Sequence, residues 1–404
     1  MRTTVLACSM LAALAPRAGG QTVDPDAIDA WFERLADEQG FSGVVLIARG
    51  PDILMNEGYG LADDDGTPMT PETVVLSGSI SKQFTAAAVL LLEERGLLDA
   101  RDSLAAHLAD APLDKAGITI HELLTHTAGF SRDHFTHDLT PMSYDEGLRA
   151  IYDLPLGYEP GTGFDYSNTG YTVLAIIVQK VSGRPFLDFM REEVFDRFGL
   201  ESTGFFPDDW SDHAVATAYF NGESQGPPSM FPGPFWGNMG NAGVMSTTVD
   251  LHRWLSALRA GEVFEPARTE RLFRPVAEWR PGVRYGYGWI TRDSTPLGPE
   301  LGHGGVGLGG NSELAYYPDH DLTIIVLGNR VGLRFDDDGR VVQAGLPARE
   351  ARDQLLRNLA SGDFSTLPTQ TRVTTPPSAT QVTLIVLGVI VLGALLRWRR
   401  RRTA

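Results

Sequence analysis

Two residue types that often build functional sites are scarce in this chain. Cysteine occurs once, at Cys8, and lysine only three times, at Lys82, Lys115 and Lys180. Cys8 falls in a segment expected to be removed, so the mature chain is predicted to hold no disulfide and no cysteine-based metal site. Basic residues are also few where the chain should fold. All 51 acidic residues lie between Asp24 and Asp363, against 26 of the 34 basic ones, a net charge of −25 for that stretch. Such a surface repels nucleic acid, which excludes it as a partner, and it reads as a solubility trait. No G-x-S-x-G occurs, which argues against an α/β-hydrolase nucleophile elbow. There are no internal repeats. With 43% hydrophobic and 21% charged residues, the composition is that of an ordinary globular protein.

The two ends differ from the body. Residues 1–20 place an apolar run, Val5–Ala15, behind Arg2 and before small residues, the pattern of a secretory signal peptide. Residues 24–362 form the body. Residues 363–381 are rich in Thr, Pro and Ser and read as an extended stalk. Residues 382–398 are predicted to be a transmembrane helix: Val382 to Leu396 carries no charge, and Arg397 can snorkel. The arginines of the 399–404 tail place that end in the cytoplasm and the body outside it. A sorting signal cut off after export would carry the same tail.

Within the body, Pro25–Glu38 has helical apolar spacing behind an Asp24 cap. Gly43–Ala48 and Ile53–Tyr59 read as a strand hairpin. Helices are predicted over Ser81–Arg95, Thr119–Thr127, Thr172–Val181, Thr248–Ala260 and Ala348–Ala360. Strands are predicted over Tyr285–Ile290, Ser312–Tyr317 and Leu322–Leu327. Strands at both ends with helices between them point to an α/β (α+β) body: one sheet built from both ends, with an inserted helical lobe.

Three motifs carry chemistry. Ser79-Ile80-Ser81-Lys82 is a Ser-x-x-Lys; if a helix starts at Ser79, the two side chains share a face. A serine hydroxyl needs a base beside it, and a buried lysine can serve. Tyr166-Ser167-Asn168 follows Pro160-Gly161 and precedes an apolar helix, so its tyrosine could move protons and its asparagine hold a carbonyl. His303-Gly304-Gly305 is read as preceding a strand, with glycines that permit close backbone approach. Other matches fail on geometry. His121 and His126 are five residues apart and would not share a helix face as zinc ligands must. His134 and His137 lie in a polar loop. The G-x-G-x-x-G of Gly305–Gly310 leads into a strand rather than a helix, so no dinucleotide is implied. No metal or organic cofactor is expected.

In this order, and with flanks such as Gly58–Asp63, Leu123–Gly129 and Pro160–Tyr171, these motifs resemble the serine β-lactamase-like family, which includes class C β-lactamases, D-specific peptidases and esterases. The resemblance spans about Ile28 to Ala360. It implies a β-lactamase/transpeptidase-like fold: a helical lobe beside an antiparallel sheet flanked by helices, with the cleft between. It also implies roles. Ser79 forms an acyl-enzyme, and Lys82 and Tyr166 act as a coupled base. Asn168, His303, Gly304 and Gly305 contact substrate, and the Ser79 and Val306 N–H groups form the oxyanion hole. His303 stands where many β-lactamases have a lysine. Histidine is mostly neutral at pH 7, so an ester or D-amino-acid peptide is favoured over a β-lactam. A gain for carboxylate-bearing substrates below about pH 6.5 is expected. The alternatives are a β-lactamase or DD-carboxypeptidase and, in another class, a non-hydrolytic membrane-anchored receptor for cell-wall fragments or β-lactams.

Overall fold

The computed structural model describes residues 23–130, 141–220, 223–226, 236–307, 309–331, 333–335, 341–343 and 347–368. The expected signal peptide, transmembrane helix and cytoplasmic tail lie outside them, as do His134, His137 and residues 369–381 of the stalk; its first residues instead pack on the body, where Thr366 O and Pro368 O accept from Trp31 and Gln39. Among the described residues, no helix is long and apolar enough to cross a membrane.

An eight-stranded antiparallel sheet forms the frame. Its order is Asp52–Tyr59, Gly43–Arg49, Leu322–Gly328, Gly310–Tyr317, Gly298–Gly307, Ile290–Thr295, Val283–Tyr285, Ala277–Arg280. The sheet is therefore built from both ends of the body, as the strand pattern predicts. Register is set at the seam, where Val45 faces Val326 and Ile47 faces Ile324. Alternation along these strands splits the core in two. Val44, Leu46, Leu314 and Leu327 enter the larger core, with the helical lobe. Val45, Ile47, Ala315 and Val326 face the first and last helices, Pro25–Gln39 and Pro347–Ser361. The first helix starts where Asp24 Oδ1 accepts the Ala27 N–H and stops at Gly40, whose φ of 68° suits glycine.

Several elements depart from the sequence expectations. The Ser81–Glu94 helix begins two residues after Ser79, which instead occupies a 3₁₀ turn, Gly78–Ile80. The expected Thr119–Thr127 helix is confined to Ile120–Leu124 by a Thr119/Glu122 capping box at one end and His126, at φ 60°, at the other. The helix expected from Thr172 starts early, at Asn168, because Ser167 caps it by accepting the Gly170 N–H. The expected strand Tyr285–Ile290 is a turn between two strands, closed by Gly286 N–H to Trp289 O. His303 lies inside the Gly298–Gly307 strand, paired with Leu314, rather than ahead of a strand. Its glycine neighbours lack side chains that would show alternation, so the sequence reads as a turn. Leu333–Phe335 and Val341–Gln343 pair with each other in a two-stranded sheet of their own.

Candidate active site

The candidate nucleophile sits on a tightly tethered turn. The Val75–Leu76 strand delivers it, and the Ser77 N–H and Oγ both donate to Val244 O, at 2.9 and 2.7 Å. Ser81 Oγ donates to Gly78 O at 2.6 Å and accepts the Val244 N–H at 3.0 Å. Gly78 has φ 53°, a conformation that costs glycine little. Its missing side chain also makes room: a Cβ there would lie 2.6 Å from Val306 N. On the facing strand, a Cβ on Gly305 would collide with Ser77 O and lie 2.8 Å from Ser79 N. Two glycines thus let the turn that carries Ser79 and the strand that carries Val306 approach closely.

One helical turn on, Lys82 is fully buried. Its Nζ lies 3.1 Å from Ser79 Oγ and donates to Asn168 Oδ1 and to Asn241 O, each at 2.8 Å. Both carbonyl oxygens can only accept. Ser79 is different, since a hydroxyl can also give up a proton. The Asn241 loop is fixed in turn, its Nδ2 donating to Thr172 Oγ1 and Gly237 O. Lys82 Nζ also stands 4.8 Å from the Tyr166 ring centroid. Ser79, Lys82, Tyr166 and Asn168, up to 89 positions apart in the chain, therefore meet in one place.

His303 joins them in position, its ring 6.1 Å from that of Tyr166, but its chemistry differs from the expectation. It is buried, and both ring nitrogens are engaged. Burial keeps Tyr285 protonated by pushing its phenol well above the usual value. Tyr285 Oη therefore donates to His303 Nε2 at 3.1 Å, and Nδ1 donates to Gly304 O at 2.6 Å. Burial, helped by the Lys82 charge, pushes the imidazole down to about 3. The expected gain for carboxylate-bearing substrates below pH 6.5 is corrected accordingly: His303 stays neutral through that range. The pH profiles of kcat/KM for such a substrate should have the same shape in wild type and His303→Gln. A wild-type rise below pH 6.5 that His303→Gln abolishes would contradict this. Stability should respond instead. Between about pH 3 and 6.5 the unfolded chain takes up a proton at His303 that the folded chain refuses, so the melting temperature should fall as pH falls through that window.

Gly304 is a second correction. Alternation turns it away from the cleft, and a Cβ there would meet Glu313 Oε1 at 2.6 Å and an Arg349 nitrogen at 3.0 Å. Its smallness serves packing against Glu313 and the last helix.

Three residues were missed by sequence reasoning. His126 lies inside an aromatic box, 4.4 Å from the Tyr166 ring and 4.3 Å from that of Tyr285. Its Nδ1 accepts the Ser167 N–H at 3.0 Å, which ties down the loop between Tyr166 and Asn168. Burial holds it well below the ordinary imidazole value. The sequence showed it as a failed zinc ligand and as part of the Leu123–Gly129 flank, with no role of its own; its left-handed backbone gave no local signal. His121, the other half of that pair, bonds Tyr287 Oη at 2.7 Å. Tyr285 was legible only as a strand residue. Trp279, 41% exposed on the edge strand, stacks on Tyr166 at 5.4 Å and 18°. Among the described residues, no group of three or more His, Cys, Asp or Glu is arranged to hold a metal.

The tethered Ser-x-x-Lys turn, its Tyr-x-Asn partner and the sheet behind them define a class that the comparisons identify. A family model described as Beta-lactamase matches residues 28–346, and the chain belongs to that family. It is similar to "Penicillin-binding protein 4*" of Bacillus subtilis (strain 168), 31% identical over 345 residues, 79% of this chain and 74% of that protein. It is similar to "Esterase EstB" of Burkholderia gladioli, 28% identical over 355 residues, 74% of this chain and 88% of that protein. Among solved structures, the penicillin binding protein from Bacillus halodurans superposes with a TM-score of 0.66 at 27% identity, covering 75% of this chain and 94% of that one. These relationships place the chain among serine hydrolases of the β-lactamase fold.

Proposed function

We propose that this protein cleaves an ester or amide through an acyl-enzyme on Ser79, with esters and D-amino-acid peptides preferred over β-lactams. The observation that carries the reading is the Lys82 amine, buried, pinned by two carbonyl acceptors and 3.1 Å from Ser79 Oγ. In the proposed cycle Lys82, with Tyr166, takes the Ser79 proton as Oγ attacks the carbonyl. The carbon–oxygen bond forms, and the Ser79 and Val306 N–H groups stabilise the oxyanion. The proton passes to the leaving group as the scissile bond breaks. Tyr166 then activates the water that frees Ser79. Asn168 orients the acyl amide, and Trp279 over Tyr166 offers an apolar wall to the substrate.

The substrate preference follows from charge. A neutral His303 with both nitrogens committed supplies no cation for a β-lactam carboxylate. The esterase among the relatives supports the ester arm of this reading. A panel of nitrophenyl ester, D-alanyl peptides, chromogenic cephalosporin and fluorescent penicillin, each against Ser79→Ala, tests it. Ester or peptide turnover above that of cephalosporin is expected; cephalosporin as the best substrate would reverse the preference. A receptor would show a stable penicillin adduct without turnover of any compound.

We also infer export through residues 1–20 and anchoring through residues 382–398, on the sequence pattern alone. The full chain should fractionate with membranes and a chain ending at Thr380 should not; equal distribution would remove the anchor from the reading.

A further inference from the structure

Away from the cleft, three elements enclose a cavity of about 280 Å³. The edge strand Ala277–Arg280 contributes Arg280, the Ile290–Thr295 strand Arg292, and the last helix Arg349, Arg352 and Arg357. Five guanidinium groups on one concavity run against the trend of a strongly acidic body. Three are anchored from behind. Arg352 pairs with Glu300 at 2.6 Å and Glu313 at 3.4 Å, Arg349 with Glu313 at 2.8 Å, and Arg292 with Glu300. Glu300 and Glu313 are buried, so this layer holds its arginines in fixed orientations. Asp353 is the only other acid on the wall.

The remaining two arginines are not explained by that network. Arg280 has no carboxylate within ion-pair reach among the described residues, and Arg357 bonds only the Gln354 side-chain oxygen, at 2.6 and 3.0 Å. Both are exposed, and they stand on different walls, one on the sheet edge and one on the helix. Like charges converging on one hollow are held apart in cost only by solvent or by an anion. Guanidinium forks match oxyanions in a bidentate manner. The hollow lies just below the roughly 300–1,000 Å³ of most small-molecule sites, which suits a compact, highly charged group. A hollow for an apolar ligand would not be walled by arginines.

We propose that this cavity binds a terminal phosphate-type dianion, held by Arg280 and Arg357 from opposite sides and by the anchored Arg292 and Arg349 from below, while the buried Arg352 spends its three nitrogens on Glu300, Glu313 and Asp353. Such a group could be a free phosphate or a terminal phosphomonoester on a lipid or polymer, each with two charges on one phosphorus centre, whereas a bridging diester carries only one.

Calorimetric titration of the full chain with inorganic pyrophosphate tests this, beside glycerophosphoglycerol, a singly charged diester. Expected are one saturable site for pyrophosphate, weakening with added salt. Its Kd should rise about tenfold or more in Arg280→Ala/Arg357→Ala, with the diester weaker than pyrophosphate by a similar factor. Circular dichroism and the ligand-free melting temperature report whether the double variant is folded. Should it not fold, Arg280→Gln and Arg357→Gln singly are each expected to weaken binding roughly threefold. No saturable binding to the wild-type chain, or an unchanged Kd in folded variants, would overturn the site. Diester binding as tight as pyrophosphate would overturn the dianion.

Discussion

Ser79→Ala and Lys82→Met are each expected to lower kcat/KM for the best ester or peptide by about 10⁴-fold or more, and the double variant by no more than either alone. The reason is that the two groups act as one. Without Lys82, the Ser79 hydroxyl has no base at 3.1 Å; without Ser79, the amine has nothing to activate. Methionine keeps the apolar stem in a fully buried position, so the fold should survive. It leaves Asn168 Oδ1 and Asn241 O without their donor, a cost of about 1–3 kcal/mol in stability. Lys82→Arg is expected not to rescue activity, because a guanidinium does not give up a proton at these pH values. Steady-state kinetics with melting temperatures for the four variants check this. Additive losses in the double variant would mean that serine and lysine work separately.

The second large effect concerns two adjacent glycines that face opposite ways. Gly305→Ala should reduce kcat by about 10²–10³-fold, the usual cost of losing one oxyanion donor. Its new methyl collides with the Ser77 carbonyl and crowds Ser79 N, both backbone atoms of a tethered turn with nowhere to move. The strand and the turn must separate, and the Val306 and Ser79 amides with them. Gly304→Ala meets Glu313 Oε1 and an Arg349 nitrogen, side-chain ends on the face of the strand away from Ser79, so the strain falls on that ion pair and not on the turn. Its kcat should stay within about threefold of wild type, with the loss falling on stability. Kinetics of the pair decide the point: a Gly304→Ala enzyme as impaired as Gly305→Ala would return Gly304 to the substrate cleft.

That contrast marks where sequence reasoning stopped. Ser79 and Lys82 lie three residues apart, and whether the turn is 3₁₀ or α their side chains meet, so local spacing was enough to pair them. The hairpin, the seam strand and the terminal helices were legible for the same reason: their apolar periods are written within a dozen residues. The Tyr166–Asn168 loop was legible as a motif, though what holds it in place was not. His126 lies 41 positions from Ser167, and nothing near it in sequence tells a buried loop acceptor from a failed metal ligand.

By itself, then, the sequence determined the candidate nucleophile and its base, the order of the motifs and a sheet closed from both ends. The tertiary structure alone decided which way each residue of the glycine-rich strand points and what charge its histidine carries. Direction comes from register: pairing His303 with Leu314 sends His303 and Gly305 toward the nucleophile and Gly304 toward the last helix. Charge comes from burial. An imidazole in water is half protonated near pH 6.5, whereas this one, buried beside Tyr285 and Tyr166, is neutral down to about 3. Desolvation is a property of the assembled surroundings, so no reading of neighbouring letters could supply it.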